Sequence, residues 1–232
     1  MSKTAAITGG VGDIIYSLKI MPLLNITKLY IKENYYPDGS SMYSVLKRLV
    51  EMQGIECLPT SGAYPAFEYE PGLQFDSDLD QARKQPQRGI NHIIISYLNH
   101  YRLSVQGWRI PWIKIEGERV MQGKYSLIHL TPRWRDNSKV DWQQVYSRIE
   151  GKVFFIGLQQ EHEDFENRYG EIEWLQTADM LDMAILIRDC EALYCNQSCS
   201  VALAQGMGTN YYLERKPGKT NVLIGGKNEH LL

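Results

Sequence analysis

Residues 4–18 read Thr4-Ala5-Ala6-Ile7-Thr8-Gly9-Gly10-Val11-Gly12-Asp13-Ile14-Ile15-Tyr16-Ser17-Leu18. Thr4–Thr8 is a short apolar run of strand length, and Gly9-Gly10-Val11-Gly12 is a turn. Asp13 then opens a stretch in which Ile14, Ile15, Leu18 and Met21 recur at helical spacing. The spacing predicts a helix over 13–24, kinked or ended by Pro22. A strand, a glycine turn and a helix in direct succession form the first unit of a parallel α/β sheet. Backbone N–H groups at such a helix start can hold a phosphate.

The pattern continues outward from that unit. Lys28–Lys32 alternates like a second strand, Ser40 or Ser41 caps a helix running to about Met52, and Ile55–Leu58 is a third strand. The stretch 59–73, rich in Gly, Pro and aromatics, reads as a loop, and 79–84 as a short helix. Ile90–Tyr97, with three consecutive isoleucines, reads as a fourth strand buried on both faces. A second set follows. Strands are expected at 125–130, 152–156, 192–195, 211–214 and 221–224, and helices at 140–149, 179–188 and 198–207. Asp141 or Ser138 would open the first of these helices, and Gly206 or Gly208 would close the last. Ser104–Lys124, with Trp108, Trp112 and Pro111, separates the two sets. The expectation is α/β: two small Rossmann-like domains, with parallel sheets facing across a cleft. The bounds expected are 1–110 and 124–232, with the linker at about 104–124.

Composition narrows the function. Of 232 residues, 25 are Lys or Arg and 27 are Asp or Glu, so a net charge of -2 argues against holding nucleic acid by bulk charge alone. No window approaches a membrane span, and Met1-Ser2-Lys3-Thr4 runs straight into the first strand, so a cytoplasmic protein without a secretory signal is expected. Cys57, Cys190, Cys195 and Cys199 match no zinc spacing and read as structural thiols. No divalent metal is expected.

The glycine turn alone admits three readings. One is a bare structural turn. A second is a dinucleotide site, with Glu33 about 20 residues further on as a ribose-binding acid, although the glycine spacing is one residue short of the short-chain dehydrogenase pattern. The third comes from resemblance. Gly12-Asp13-Ile14-Ile15-Tyr16-Ser17-Leu18 with Pro22-Leu23-Leu24 resembles the first loop and helix of heptosyltransferase-type enzymes, glycosyltransferase family 9. Ala192-Leu193-Tyr194-Cys195-Asn196-Gln197-Ser198 and Ala202-Leu203-Ala204-Gln205-Gly206 resemble that family's donor-site strand and helix. Gln197 stands where the family usually has Asp, Cys199 stands where it has Gly, and a His common near Ala202 is absent.

The resemblance implies a GT-B architecture, a nucleotide-sugar donor on the second domain and an acceptor on the first, with inversion at the sugar carbon. It implies Asp13 as general base, with Gly10 and Gly12 beside it on the acceptor side. The donor is expected at the carboxyl ends of the second set of strands. Thr131, Arg133 and Arg135 would hold a diphosphate. Gly157 would flank the nucleotide, with Glu161 close by. Asn196, Gln197 and Ser198 would contact ribose and phosphate, and Glu214 would reach a donor hydroxyl. Asn99 and His100, just past the fourth strand, would face the acceptor. No cofactor is expected beyond the nucleotide-diphosphate sugar as co-substrate. The acceptor is open among a glycan, a protein, a small molecule and a hydroxylated base in DNA. The alternatives are a binding-only relative and an NAD(P)-dependent oxidoreductase.

Overall fold

The structure is a computed structural model, described over residues 3–7, 10–33, 40–60, 92–132, 140–216, 222 and 224–232. The expected helix at 79–84, most of the loop at 59–73, and Arg133 and Arg135 lie outside the described residues.

The first sheet has the order β1-β2-β3, with β1 at Lys3–Ile7, β2 at Ile26–Lys32 and β3 at Glu56–Thr60, all parallel. Ala5 lies opposite Leu29, and Leu29 opposite Cys57, so buried residues line up across the sheet. Helix α1 (Val11–Ser17) connects β1 to β2, and α2 (Met42–Met52) connects β2 to β3. Ser41 caps α2 by accepting from Ser44 N at 3.1 Å. The helix expected over 13–24 begins two residues earlier, at Val11, and stops at Ser17. Lys19 N and Ile20 N bond to Tyr16 O and Ser17 O in the tighter i→i−3 pattern. A separate 3₁₀ turn at Pro22–Leu24 is closed by Asn25 at φ 57°.

One expectation fails outright. Ile93–His100 is a helix, α3, and not a strand. Ile93 to Leu98 are all buried, so no polar face marks a period, and a short run apolar but for Ser96 fits strand and helix alike. His92 settles it locally, because its Nδ1 accepts from Ile94 N at 3.1 Å and starts the helix.

The second sheet has six parallel strands in the order β6-β5-β4-β7-β8-β9. In chain order the elements are β4 (Tyr125–His129), α4 (Trp142–Arg148), β5 (Lys152–Ile156), α5 (Gln159–Tyr169), β6 (Glu173–Leu175), α6 (Met180–Asp189), β7 (Ala192–Asn196), α7 (Cys199–Met207), β8 (Tyr211–Glu214) and β9 (Glu229–Leu231). Asp141 caps α4, and Gly208 at φ 75° ends α7. Helix α5 escaped the reading because it buries only Phe165 and offers no apolar stripe. The strand expected at 221–224 is not formed at Ile224; the last strand is β9.

A single apolar cluster runs through both sheets, from Ala5, Ile7 and Leu29 to Leu127, Leu193 and Leu213, by way of α1, α2, α6 and α7. A smaller cluster of Ile128, Trp142, Phe155 and Phe165 lies under α4 and α5. The segment between the sheets is bonded along its length. Lys19 Nζ donates to Ile110 O at 2.8 Å, Gln53 exchanges two bonds with the Lys114 backbone, and Arg188 reaches Gly117 O and Glu118 O. Arg48 joins α2 to the start of α6 through Asp179 at 2.9 Å and Asp182 at 3.0 Å. Among the described residues, no helix is long and apolar enough to cross a membrane.

Candidate functional site

Parallel strands present their carboxyl ends on one side, and in such sheets ligands bind there. At the end of β4 stands His129, the polar terminus of a wholly buried strand. Its Nδ1 lies 3.0 Å from Ser198 Oγ and 2.8 Å from Ser200 Oγ, and its Nε2 lies 3.9 Å from Glu161 Oε2. Burial pushes its pKa down to about 4, so the ring is neutral near pH 7. A neutral imidazole next to two hydroxyls orients them without adding charge. Burial also raises the pKa of Glu161, against the lowering effect of the N–H it accepts from Leu158 at 3.0 Å.

Gly157 ends β5 at φ 135°, a region that excludes ordinary side chains. A Cβ there would also sit 2.9 Å from His129 Cδ2 and 2.8 Å from Glu161 Oε2. The glycine therefore lets the ends of β4 and β5 and the first turn of α5 close around one point.

The α7 start faces the α1 start. A Cβ on Gly12 would lie 3.8 Å from Cys199 Cα and 4.0 Å from Ser198 O. Two helix N-termini, each with partial positive charge, thus meet at the carboxyl edge of the second sheet. Asp13 sits in the first turn of α1, half-buried, with Oδ2 accepting from Gly10 N at 3.2 Å.

The sequence-predicted residues divide by burial. Asp13, Gly12, Thr131, Gly157 and Ser198 are part-exposed, and Gly10 is exposed. Asn196 and Glu214 are fully buried. Asn196 Nδ2 donates to Thr131 O at 2.6 Å, and its Oδ1 accepts from Thr131 N at 3.2 Å. Its amide holds the loop that presents Thr131. Glu214 Oε2 accepts from Trp142 Nε1 at 3.0 Å, beneath α4. Gln197 Oε1 accepts from Lys216 N at 2.9 Å, fixing the chain after β8. All three side chains are buried and hydrogen-bonded within the chain. Asn99 and His100 require correction: they end the helix α3, so they do not emerge from a strand's carboxyl end, and the reason for placing them at the acceptor falls away.

His129 and Ser200 were missed. The one signal for His129 was a histidine closing the apolar run Tyr125–Ile128. Among the described residues, no group of three or more His, Cys, Asp or Glu side chains is arranged to hold a metal ion. Open hollows of about 480 and 380 Å³ lie at the opposite end of the second sheet, around Tyr146, Val153 and Glu171 or Tyr169, away from the strand ends described above.

No protein-family model and no curated protein sequence matches the chain. Solved structures do. A glycosyl transferase family 9 protein from Veillonella parvula aligns at TM-score 0.63 and 13% identity, over 99% of this chain and 85% of that one. The fold is that of the heptosyltransferases. The E. coli ADP-heptose lps heptosyltransferase II aligns at TM-score 0.66 and 12% identity, over 99% of this chain and 90% of its own. The dodecameric iron-containing heptosyltransferase TibC, solved in complex with ADP-D-beta-D-heptose, aligns at TM-score 0.59 and 11% identity, over 98% of this chain and 62% of that one. The likeness extends over the whole of both sheets and is one of fold.

Proposed function

We propose that the protein transfers a sugar from a nucleoside-diphosphate sugar to a hydroxyl acceptor. The observation that carries this is the meeting of the Asp13-bearing start of α1 with the start of α7, at the strand ends of the second sheet. The shared fold supports it, and TibC in complex with ADP-D-beta-D-heptose and the E. coli heptosyltransferase WaaC, solved with ADP, favour an ADP-sugar as donor.

In the proposed reaction the acceptor oxygen attacks the anomeric carbon, and Asp13 takes the hydroxyl proton. The bond from that carbon to the diphosphate breaks, and its electron pair leaves on the diphosphate. Ser198, the N–H groups at the start of α7 and Thr131 receive the diphosphate, with Arg133 and Arg135 as its cationic partners. Neutral His129 fixes the hydroxyls of Ser198 and Ser200 in that cradle. The charge of the leaving group is met by N–H groups and arginines, so no divalent metal enters the scheme. A reducing, cytoplasmic setting suits the four free cysteines.

The second reading is a protein that binds the nucleotide sugar without transfer. It is favoured by Gln197, an amide committed to Lys216 N where the resemblance implies an acid.

Thermal-shift measurement against nucleoside diphosphates, nucleotide sugars and NAD(P) tests the reading. ADP or an ADP-sugar is expected to raise the midpoint, with the shift lost in Arg133→Ala and unchanged by EDTA. A shift with NAD(P) alone overturns the proposal. Binding of nucleotide sugars without nucleoside-diphosphate release, across glycan, protein, small-molecule and DNA acceptors, leaves the binding-only reading.

A further inference from the structure

Behind the site, a second polar array links the C-terminal strand to α1. Tyr16 Oη donates to Gln205 Oε1 at 2.9 Å. Gln205 Nε2 donates to Tyr211 Oη at 2.9 Å and to Val222 O at 2.6 Å. Tyr211 Oη donates to Glu229 Oε2 at 2.6 Å. Glu229 also accepts from Ile224 N at 2.8 Å and Gly225 N at 3.1 Å. His92 Nε2 lies 3.3 Å from Gln205 Oε1; because its Nδ1 accepts from Ile94 N, the Nε2 carries the proton and donates.

Every donor in this array points one way. The carboxylate of Glu229 accepts the Tyr211 hydrogen bond, which leaves the Tyr211 oxygen to accept from Gln205. That in turn fixes the Gln205 amide with its oxygen toward Tyr16 and His92. Tyr16, Gln205, Tyr211 and Glu229 belong to four different elements, and Tyr16, Gln205 and Tyr211 are almost wholly buried. Tyr16 is also packed edge-on against His92 and tilted against Trp112, whose Nε1 donates to Ile15 O at 3.1 Å. Asp13 is three residues before Tyr16 on the same short helix.

We propose that Glu229 is a positioning residue for the transfer reaction: through Tyr211 and Gln205 it fixes Tyr16, and with Tyr16 the helix that presents Asp13. This rests on the reading of Asp13 as the base. Glu229→Gln keeps the shape but leaves one acceptor oxygen and one NH₂ group facing three donors, so either orientation sets donor against donor. With the amide oxygen toward Tyr211 a charge-assisted bond becomes a weaker neutral one, and with the NH₂ toward Tyr211 that bond is lost, so Tyr211 is held less firmly in both cases and α1 loses part of its anchor.

The test is a double-mutant cycle on the full chain with Glu229→Gln and Tyr16→Phe, read in two ways. Hydrogen exchange of the α1 amides is expected to rise about tenfold in either variant, with α4 and α5 unchanged and no further rise in the double variant. For ADP release from an ADP-sugar, kcat is expected to fall about tenfold in either variant, with the donor KM within about twofold and the losses not additive. Glu229→Asp, which retains the charge, is expected to restore part of kcat. Unchanged α1 exchange in Glu229→Gln, or losses that add independently, overturns the proposal. A wild type without turnover refutes the transfer reading, while the exchange arm still decides whether Glu229 holds α1. If Glu229→Gln fails to fold, Gln205→Glu with Tyr16→Phe completes the cycle one link nearer α1, on the same criteria.

Discussion

Asp13 and Gly157 show two ways in which one residue sets this site. In the proposed reaction Asp13 contributes the proton acceptor. Asp13→Asn keeps its size and the bond to Gly10 N but removes the base, so turnover is expected to fall at least about 100-fold with ADP affinity unchanged, by steady-state kinetics beside calorimetry. Gly157 contributes the absence of a side chain. Gly157→Ala would force a Cβ against buried His129 at a φ of 135°, so lower stability and weaker ADP binding are expected together in a thermal-shift titration. Burial lowers the pKa of both His92 and His129 to about 4, with the Gln205 bond opposing the shift at His92 and Arg109 adding to it. The unfolded chain binds more protons than the folded one between about pH 6.5 and 4. Stability is therefore full above that window and falls as pH drops through it, by about 3 kcal/mol per histidine at most. Glu161, shifted up, acts in the opposite sense, its contribution being lost as pH rises. Urea titrations from pH 7 to 4 on the wild type and His129→Asn check the sign, the variant showing a shallower fall. At this scale the sequence was partly legible. Asp13, Thr131 and Ser198 stood out as polar residues at turns, whereas His129 lay inside an apolar run, and the supporting bonds of Asn196 and Glu214 join residues 65 and 72 apart in the chain.

Local pattern decided most elements, and where it was silent the reading went wrong. Strands β5 and β8 fall at the expected bounds because each is a short, largely apolar run between polar or glycine-containing stretches of sequence. Helix α3 was read as a strand because its isoleucines are buried all round, and α5 was missed because it is polar nearly all round. In both cases no apolar stripe existed to count. The segment between the sheets held a different surprise: it looks like a linker by composition and is bonded like a strap. Trp112 N and Ile113 N both donate to Gly206 O, at 2.7 and 2.9 Å. A Cβ on Gly206 would sit 2.7 Å from Ile113 Cγ1, so α7 and the strap touch only because that residue has no side chain. Gly206→Ala is expected to cost about 1–3 kcal/mol by chemical denaturation, and Ile113→Ala in the same chain is expected to recover part of that loss by removing the clash.

At the scale of the whole molecule the two sheets share a core. One apolar cluster spans both sheets, and the buried array from Tyr16 to Glu229 crosses it. Heat or urea is therefore expected to unfold the chain in one cooperative transition, with tyrosine fluorescence and far-ultraviolet circular dichroism coincident. Two separated transitions would contradict a shared core. That arrangement follows from pairings between distant residues, which no local pattern encodes. The sequence motifs pointed to the fold because the glycine turn and the strand before α7 are local, while the contact between their helix starts is not. The central claim is that this contact forms a transfer site. The most direct measurement follows ADP release from an ADP-sugar across the acceptor panel, in the wild type and in Asp13→Asn, with ADP binding measured in parallel. The expected result is release by the wild type alone and equal ADP binding by both proteins. Equal release by both, or ADP binding by neither, would contradict the account.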